Sequence, residues 1–183
     1  MFRVCFLAVA SLAIARSFGK PCGSGSLIEQ DTVSKGQSTV ELISSGKPFD
    51  GPKVTPINST TFDWWYFDVV DKNASQSLTV AFYSSSNTAL AFLPELESLN
   101  FVHVSGILPN GTRFVSVIPA KDSPVRTVGE GSSGSWEGTG FNWKGSPSLD
   151  HYDIKANDAS VGYKGVMKLK SVRNLTPLEA III

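Results

Sequence analysis

The chain has 183 residues, and 16 Lys+Arg balance 16 Asp+Glu to a formal net charge of zero. That balance offers no basic stripe for a nucleic-acid backbone and no acidic tail to act as a solvated segment. Apolar residues make up 42% of the chain, with 16 Gly and 10 Pro, a folded and turn-rich composition that excludes general disorder.

The first residues read as a targeting signal. Arg3 supplies a short positive region, and Val4 to Ala15 is an apolar stretch too short to span a bilayer. Ala13 and Ala15 put small residues where a signal peptidase reads, so cleavage is expected after Ala15, with a site near Gly19 as the alternative. The mature chain is then expected in the secretory pathway, in the ER lumen or outside the cell, without stable membrane insertion. Cys5 leaves with the signal, and Cys22 remains as a single cysteine with a partner elsewhere or a free thiol. Four sequons begin at Asn58, Asn73, Asn110 and Asn174. Asn73 and Asn110 fall in turn-like stretches, where a glycan is most easily accommodated.

Residues 16–45 form a polar leader followed by a first short strand, Thr39 to Ser44. Gly46 to Pro56 is rich in Pro and Gly and predicts a loop. Phe62 to Val70 is the strongest strand signal, turned by Asp71-Lys72-Asn73 into a partner at Ser77 to Ser84. Ser85 to Leu99 has no clear period and predicts a loop with one short helical turn. Phe101 to Leu108 and Thr112 to Ile118 flank Asn110-Gly111, the residue pair suited to a type I′ hairpin turn. Val125 to Val128 follows as a short strand, and Gly129 to Gly134 reads as a Gly/Ser turn. Phe141 to Lys144, Asp150 to Lys155 and Lys164 to Val172 complete the strands. Many short strands with no amphipathic helix predict an all-β fold, an antiparallel barrel or strongly bent sandwich spanning 46–172. The tail 173–183 ends in Ala180-Ile181-Ile182-Ile183, an apolar end that suggests a truncated chain or a mispredicted exon boundary.

The segment DGPKVTPINSTTFDWWYFDVV, Asp50 to Val70, closely resembles the N-terminal signature of fungal lipocalin-like Diels–Alderases (pericyclases). These are relatives of the hydroxyneurosporene synthase-like fold. The stretches GTGFNWKGSPSLDHY and GYKGVMKLKSV, within Gly138 to Val172, resemble the same family, so the likeness covers most of residues 45–172. It implies a lipocalin-like first domain of two, with a missing C-terminal barrel domain and a pocket drawing on both. It also implies an enzyme that folds a polyene or quinone-methide-type intermediate for [4+2] cycloaddition in secondary metabolism, without cofactor or metal.

Such chemistry requires an apolar pocket that holds diene against dienophile, worth up to roughly 7–11 kcal/mol in ideal cases. One or two donors aimed at a carbonyl add to this. Alternation in Phe62 to Val70 puts Phe62, Trp64, Tyr66 and Asp68 on one face and Asp63, Trp65, Phe67 and Val69 on the other. The first face reads as a ligand wall, with Tyr66 and Asp68 as polar tips; the alternative is that both tryptophans are plain core. Phe82 and Tyr83 lie on opposite faces of the next strand, and Asn87 follows where a barrel mouth is expected. Asn87 suits a polar head group or ordinary loop polarity, and Asp50 a head group or a turn cap. His103 is a candidate donor or general acid, against a satisfied rim histidine. The candidate set is thus Tyr66, Asp68 and His103 for catalysis and Asp50, Trp64, Phe82, Tyr83 and Asn87 for an apolar small-molecule substrate. The two histidines have no metal-site spacing, and no nucleophile elbow, P-loop or dinucleotide fingerprint is present. Two further readings stay open: a non-catalytic carrier of apolar molecules, and a polyene hydratase using a buried, protonated Asp68.

Overall fold

A computed structural model describes residues 25–28, 32–41, 48–90, 93–158 and 162–171. The expected signal at 1–15, Cys22, Asn174 and the tail 173–183 lie outside the described residues. Twelve strands are present among them: β1 (Gly25–Ile28), β2 (Thr39–Val40), β3 (Val54–Thr55), β4 (Phe62–Val70), β5 (Ser77–Ser85), β6 (Asn100–Ile107), β7 (Arg113–Pro119), β8 (Pro124–Val128), β9 (Gly131–Trp136), β10 (Phe141–Gly145), β11 (His151–Asp158) and β12 (Tyr163–Lys170). No described residue is helical.

The strands form a six-stranded sheet in the order β1-β8-β9-β10-β11-β12, a four-stranded sheet β4-β5-β6-β7, and the small pair β2-β3. All named pairings are antiparallel. Among the described residues the two large sheets do not close into one barrel, so the fold is a bent sandwich or an incomplete barrel, as expected. β1, within the leader segment, pairs with β8 at the edge of the larger sheet.

The core between the sheets is aromatic. Trp65 and Phe67 point inward from β4, Phe82 from β5, Trp136 from β9 and Trp143 from β10. The Trp65 and Trp143 rings lie 4.9 Å apart, and Phe82 and Trp143 lie 4.6 Å apart. Each buried indole N–H has an acceptor, as a buried polar group requires. Trp65 donates to the Asp50 carbonyl (3.0 Å), Trp136 to the Tyr83 carbonyl (3.0 Å) and Trp143 to Ser132 Oγ (3.1 Å).

Four local expectations are overturned, the first being Gly46 to Pro56, expected as a loop, which holds β3 (Val54–Thr55) paired with β2. The Gly/Ser run expected as a turn at Gly129 to Gly134 is strand from Gly131 onward. Its glycines serve close packing: a Cβ on Gly134 would lie 2.1 Å from the Trp143 ring, and one on Gly131 lies 2.1 Å from the Ser146 carbonyl oxygen. The Asn110-Gly111 turn is not type I′. Gly111 alone of the pair takes positive φ, at 81°, with Gly111 N–H donating to the Leu108 carbonyl and Leu108 N–H to that of Thr112. That is a type I turn followed by a glycine bulge. The loop between β5 and β6 holds no helical turn among its described residues. Isolated hydrogen bonds from Ala89 to Ser86 and from Leu93 to Leu90 shape it instead.

Gly134→Ala is expected to cost about 3 kcal/mol by driving a methyl into the enclosed Trp143 ring. The melting midpoint should fall by about 6–12 °C. A fall under 2 °C would show that the Trp143 contact is not tight.

Candidate functional site

The inward turn of Trp65 and Phe67 dictates what the other face of β4 carries. With strict alternation, Phe62, Trp64, Tyr66 and Asp68 point out of the sandwich. Trp65 is 5% exposed, whereas Trp64 is 46% and Tyr66 49% exposed. Trp64 and Tyr66 therefore do not line the space between the sheets; they stand on the outer face of the four-stranded sheet.

Cross-strand register extends that face. Trp64 opposes Tyr83, which opposes Phe101; Tyr66 opposes Ala81, which opposes His103. Trp64 lies 5.3 Å from Tyr83 and 5.5 Å from Tyr66, and Tyr83 stacks on Phe101 at 5.0 Å with 14° between planes. Phe62 meets Trp64 edge-on at 5.7 Å. Leu90, Leu93 and Leu96, from the loop between β5 and β6, pack over Tyr83 and Phe101 at one end. Asn87 braces that loop by donating from Nδ2 to the Leu96 carbonyl at 3.0 Å.

The structure thus brings Trp64, Tyr66, Tyr83 and His103 onto one surface, with Asp68 exposed beyond Tyr66 and Asn87 in the loop at the opposite end. Phe82 is elsewhere, fully buried between the sheets. Phe62 belongs to the expected wall; Phe101, fully buried on the same face, was not expected there, and the pairing of the two hairpins is the signal that unites them. Burial holds His103 below the usual histidine range, which favours neutral imidazole. Burial, and then the neighbouring Tyr66, push the Tyr83 phenol up to about 12. Tyr83 is therefore a hydroxyl, able to donate, across the neutral range.

Asp50 belongs to a separate cluster. Its carboxylate accepts hydrogen bonds from Ser132 Oγ (2.5 Å) and the Tyr152 hydroxyl (2.8 Å), tying the segment before β3 to β9 and β11. Asp63, at the start of β4, accepts from the backbone N–H groups of Lys53 (2.6 Å), Val54 (3.1 Å) and Trp64 (2.9 Å). Both carboxyls border a hollow of about 400 Å³ that also touches Glu41, Lys53 and Trp64. Burial raises both above the usual carboxylate range, and the surrounding donors and Lys53 oppose it in part. Burial likewise lowers Lys53. Tyr152 is pushed up by burial and then by the adjacent Asp50 charge.

A profile of the Diels-Alderase-like family matches residues 22–177. The chain belongs to the Diels-Alderase-like family. Among curated members, the quinolone epoxide rearrangement protein of Penicillium thymicola is 35% identical over 147 residues, covering 76% of this chain and 40% of that one. The quinolone epoxide rearrangement protein of Emericella nidulans is 37% identical over 140 residues, covering 75% and 38%. A Diels-Alderase of Aspergillus flavipes is 34% identical over 124 residues, covering 68% and 29%. The chain therefore spans about two fifths of the length of the first two Diels-Alderase-like relatives.

Asp50 and Asp63 have folded values raised above the unfolded 3.8. Their contribution to stability is full below that value and is lost as pH rises through the raised values. Melting of Asp50→Asn is accordingly expected to vary less between pH 4 and pH 7 than that of the unsubstituted chain. Parallel profiles would mean that Asp50 ionises without cost.

Proposed function

We propose that this chain acts in an isomerising cyclisation of secondary metabolism, with the outer aromatic face of the four-stranded sheet as the surface on which a flexible apolar substrate is folded. The observation that supports this reading is the exposed pair Trp64 and Tyr66, backed edge-to-face and by stacking by half-buried Phe62 and by buried Tyr83 and Phe101. Rigid aromatic walls lose little side-chain entropy on binding and fix the substrate's shape. In a [4+2] closure two carbon–carbon σ bonds form at the expense of π bonds, and no net proton moves. The surface's task is then to hold the ends in contact, while the Tyr66 and Tyr83 hydroxyls and neutral His103 offer donors to a dienophile carbonyl. The matched region covers less than half of the curated relatives, and we place the opposite wall of the pocket in the remainder.

The names of the first two relatives favour a second reading on the same surface, rearrangement of an epoxide. There the epoxide oxygen needs a donor as the carbon–oxygen bond opens, and the phenol hydroxyls supply it. The hydratase alternative makes a further demand. It requires Asp68, exposed on this face, to be shielded from water by that opposite wall.

A linear polyene bearing an activated alkene and a quinolone epoxide serve as test substrates. The products are expected to have unchanged mass. Trp64→Ala is expected to lower kcat/KM by about 10–100-fold, about 1.4–2.7 kcal/mol of transition-state stabilisation. Water added to the product, or substrate returned unaltered, would refute the cyclase reading. Full activity in Trp64→Ala and Tyr83→Phe would move the site elsewhere.

We further propose passage through the secretory pathway with glycans at Asn73 and Asn110. Both are exposed in the turns that close β4-β5 and β6-β7. Asn58 is less suited, because its Nδ2 donates to the Gly36 carbonyl at 3.2 Å. Expression in a secreting yeast should give a glycosidase-sensitive mass that drops stepwise in Asn73→Gln and Asn110→Gln. An unglycosylated cytosolic product would refute this.

A further inference from the structure

The space between the sheets is filled unevenly. Around Trp65, Trp136 and Trp143 it is packed with large rings. Toward the end marked by Val69, Leu78 and Tyr163 the facing side chains shrink to Val80, Val104 and Ala156, and a hollow of about 370 Å³ opens. A second hollow of about 480 Å³ shares Val69, Leu78 and Tyr163 with it and continues past Leu108 and Phe114.

Gly165 shows that the hollow is built into the strand. It lies opposite Ala156 in register and between Tyr163 and Met167, so it points inward from β12. A Cβ on Gly165 would meet nothing within 4 Å, and no positive φ marks the position. Neither crowding nor backbone conformation therefore requires glycine there, and glycine weakens a strand. Gly165 is itself exposed, at the mouth of the hollow, so a larger side chain there would enter that mouth. Tyr163 closes one wall, its ring 5.9 Å from Phe114 and 6.0 Å from Phe141, its hydroxyl paired with Ser116 Oγ at 3.0 Å.

The first hollow's charged residues are Lys164 and Lys168 on β12, the edge strand of the larger sheet, which alternate with inward-facing Gly165 and Met167 and so stand at the outer rim. An apolar interior with a cationic rim selects an amphiphile whose tail is hydrocarbon and whose head is an anion. We propose that this inter-sheet hollow is a second binding site, independent of the outer aromatic face, which takes the acyl chain of a long-chain carboxylate with Lys164 and Lys168 at its head group.

Titration of the full chain with cis-parinaric acid, followed by its fluorescence and by displacement with hexadecanoic acid, tests this. Saturable one-to-one binding is expected. Gly165→Val should fold with an unchanged or higher melting midpoint and lose binding at least 10-fold. Lys164→Gln with Lys168→Gln should weaken hexadecanoic acid at least 5-fold and leave hexadecanol displacement unchanged. Trp64→Ala should bind as the unsubstituted chain does. The proposal is overturned if folded Gly165→Val keeps full affinity, if Trp64→Ala abolishes binding, if the double variant binds hexadecanoic acid normally, or if no saturable binding occurs. None of these results bears on the isomerisation assay, so the two readings fail separately.

Discussion

Trp143 fits between the sheets because β9 presents no side chain opposite it. The indole occupies the place where Gly134 would otherwise carry a Cβ, and from there it meets Trp65, Phe82 and Trp136. Once that layer is set, Trp65 faces inward, and alternation leaves Trp64 and Tyr66 no position but the outside. The same layer holds Ser132 beneath the Trp143 N–H, and Ser132 passes the connection on to Asp50. Core packing, the exposed aromatic surface and the buried carboxylate thus depend on one contact between a ring and a glycine.

The outer face and the inter-sheet hollow answer different physical demands. On the outer face, Trp64 and Tyr66 reach solvent and rest on the buried rings of Tyr83 and Phe101, an arrangement suited to contact with flat or bent unsaturated molecules. Between the sheets, small aliphatic side chains leave a volume of about 370 Å³, the proposed seat of an acyl chain. The proposed cyclisation uses the first surface. The second is carried by the geometry of β12 alone.

Much of this was legible in the sequence where the determining contacts are local. β4 runs over the residues that alternation predicts, and the partition of its side chains into two faces is correct. Alternation did not reveal which face turns inward, because each carries a tryptophan; Trp136 and Trp143, about 70 residues or more downstream, decide it. The glycines of β9 resemble turn residues for the same reason, since their cause is a ring on the neighbouring strand. Asp50 was legible as a polar residue at a turn. Its partners Ser132 and Tyr152 stand 82 and 102 positions away, beyond the reach of any local pattern.

The leucines of the loop between β5 and β6 make the aromatic surface unequal along its length. At the Phe101 end Leu90, Leu93 and Leu96 form a roof, braced by Asn87. Past Asp68 the sheet runs out into water. Along β4 the described residues thus give this face one covered end and one open end.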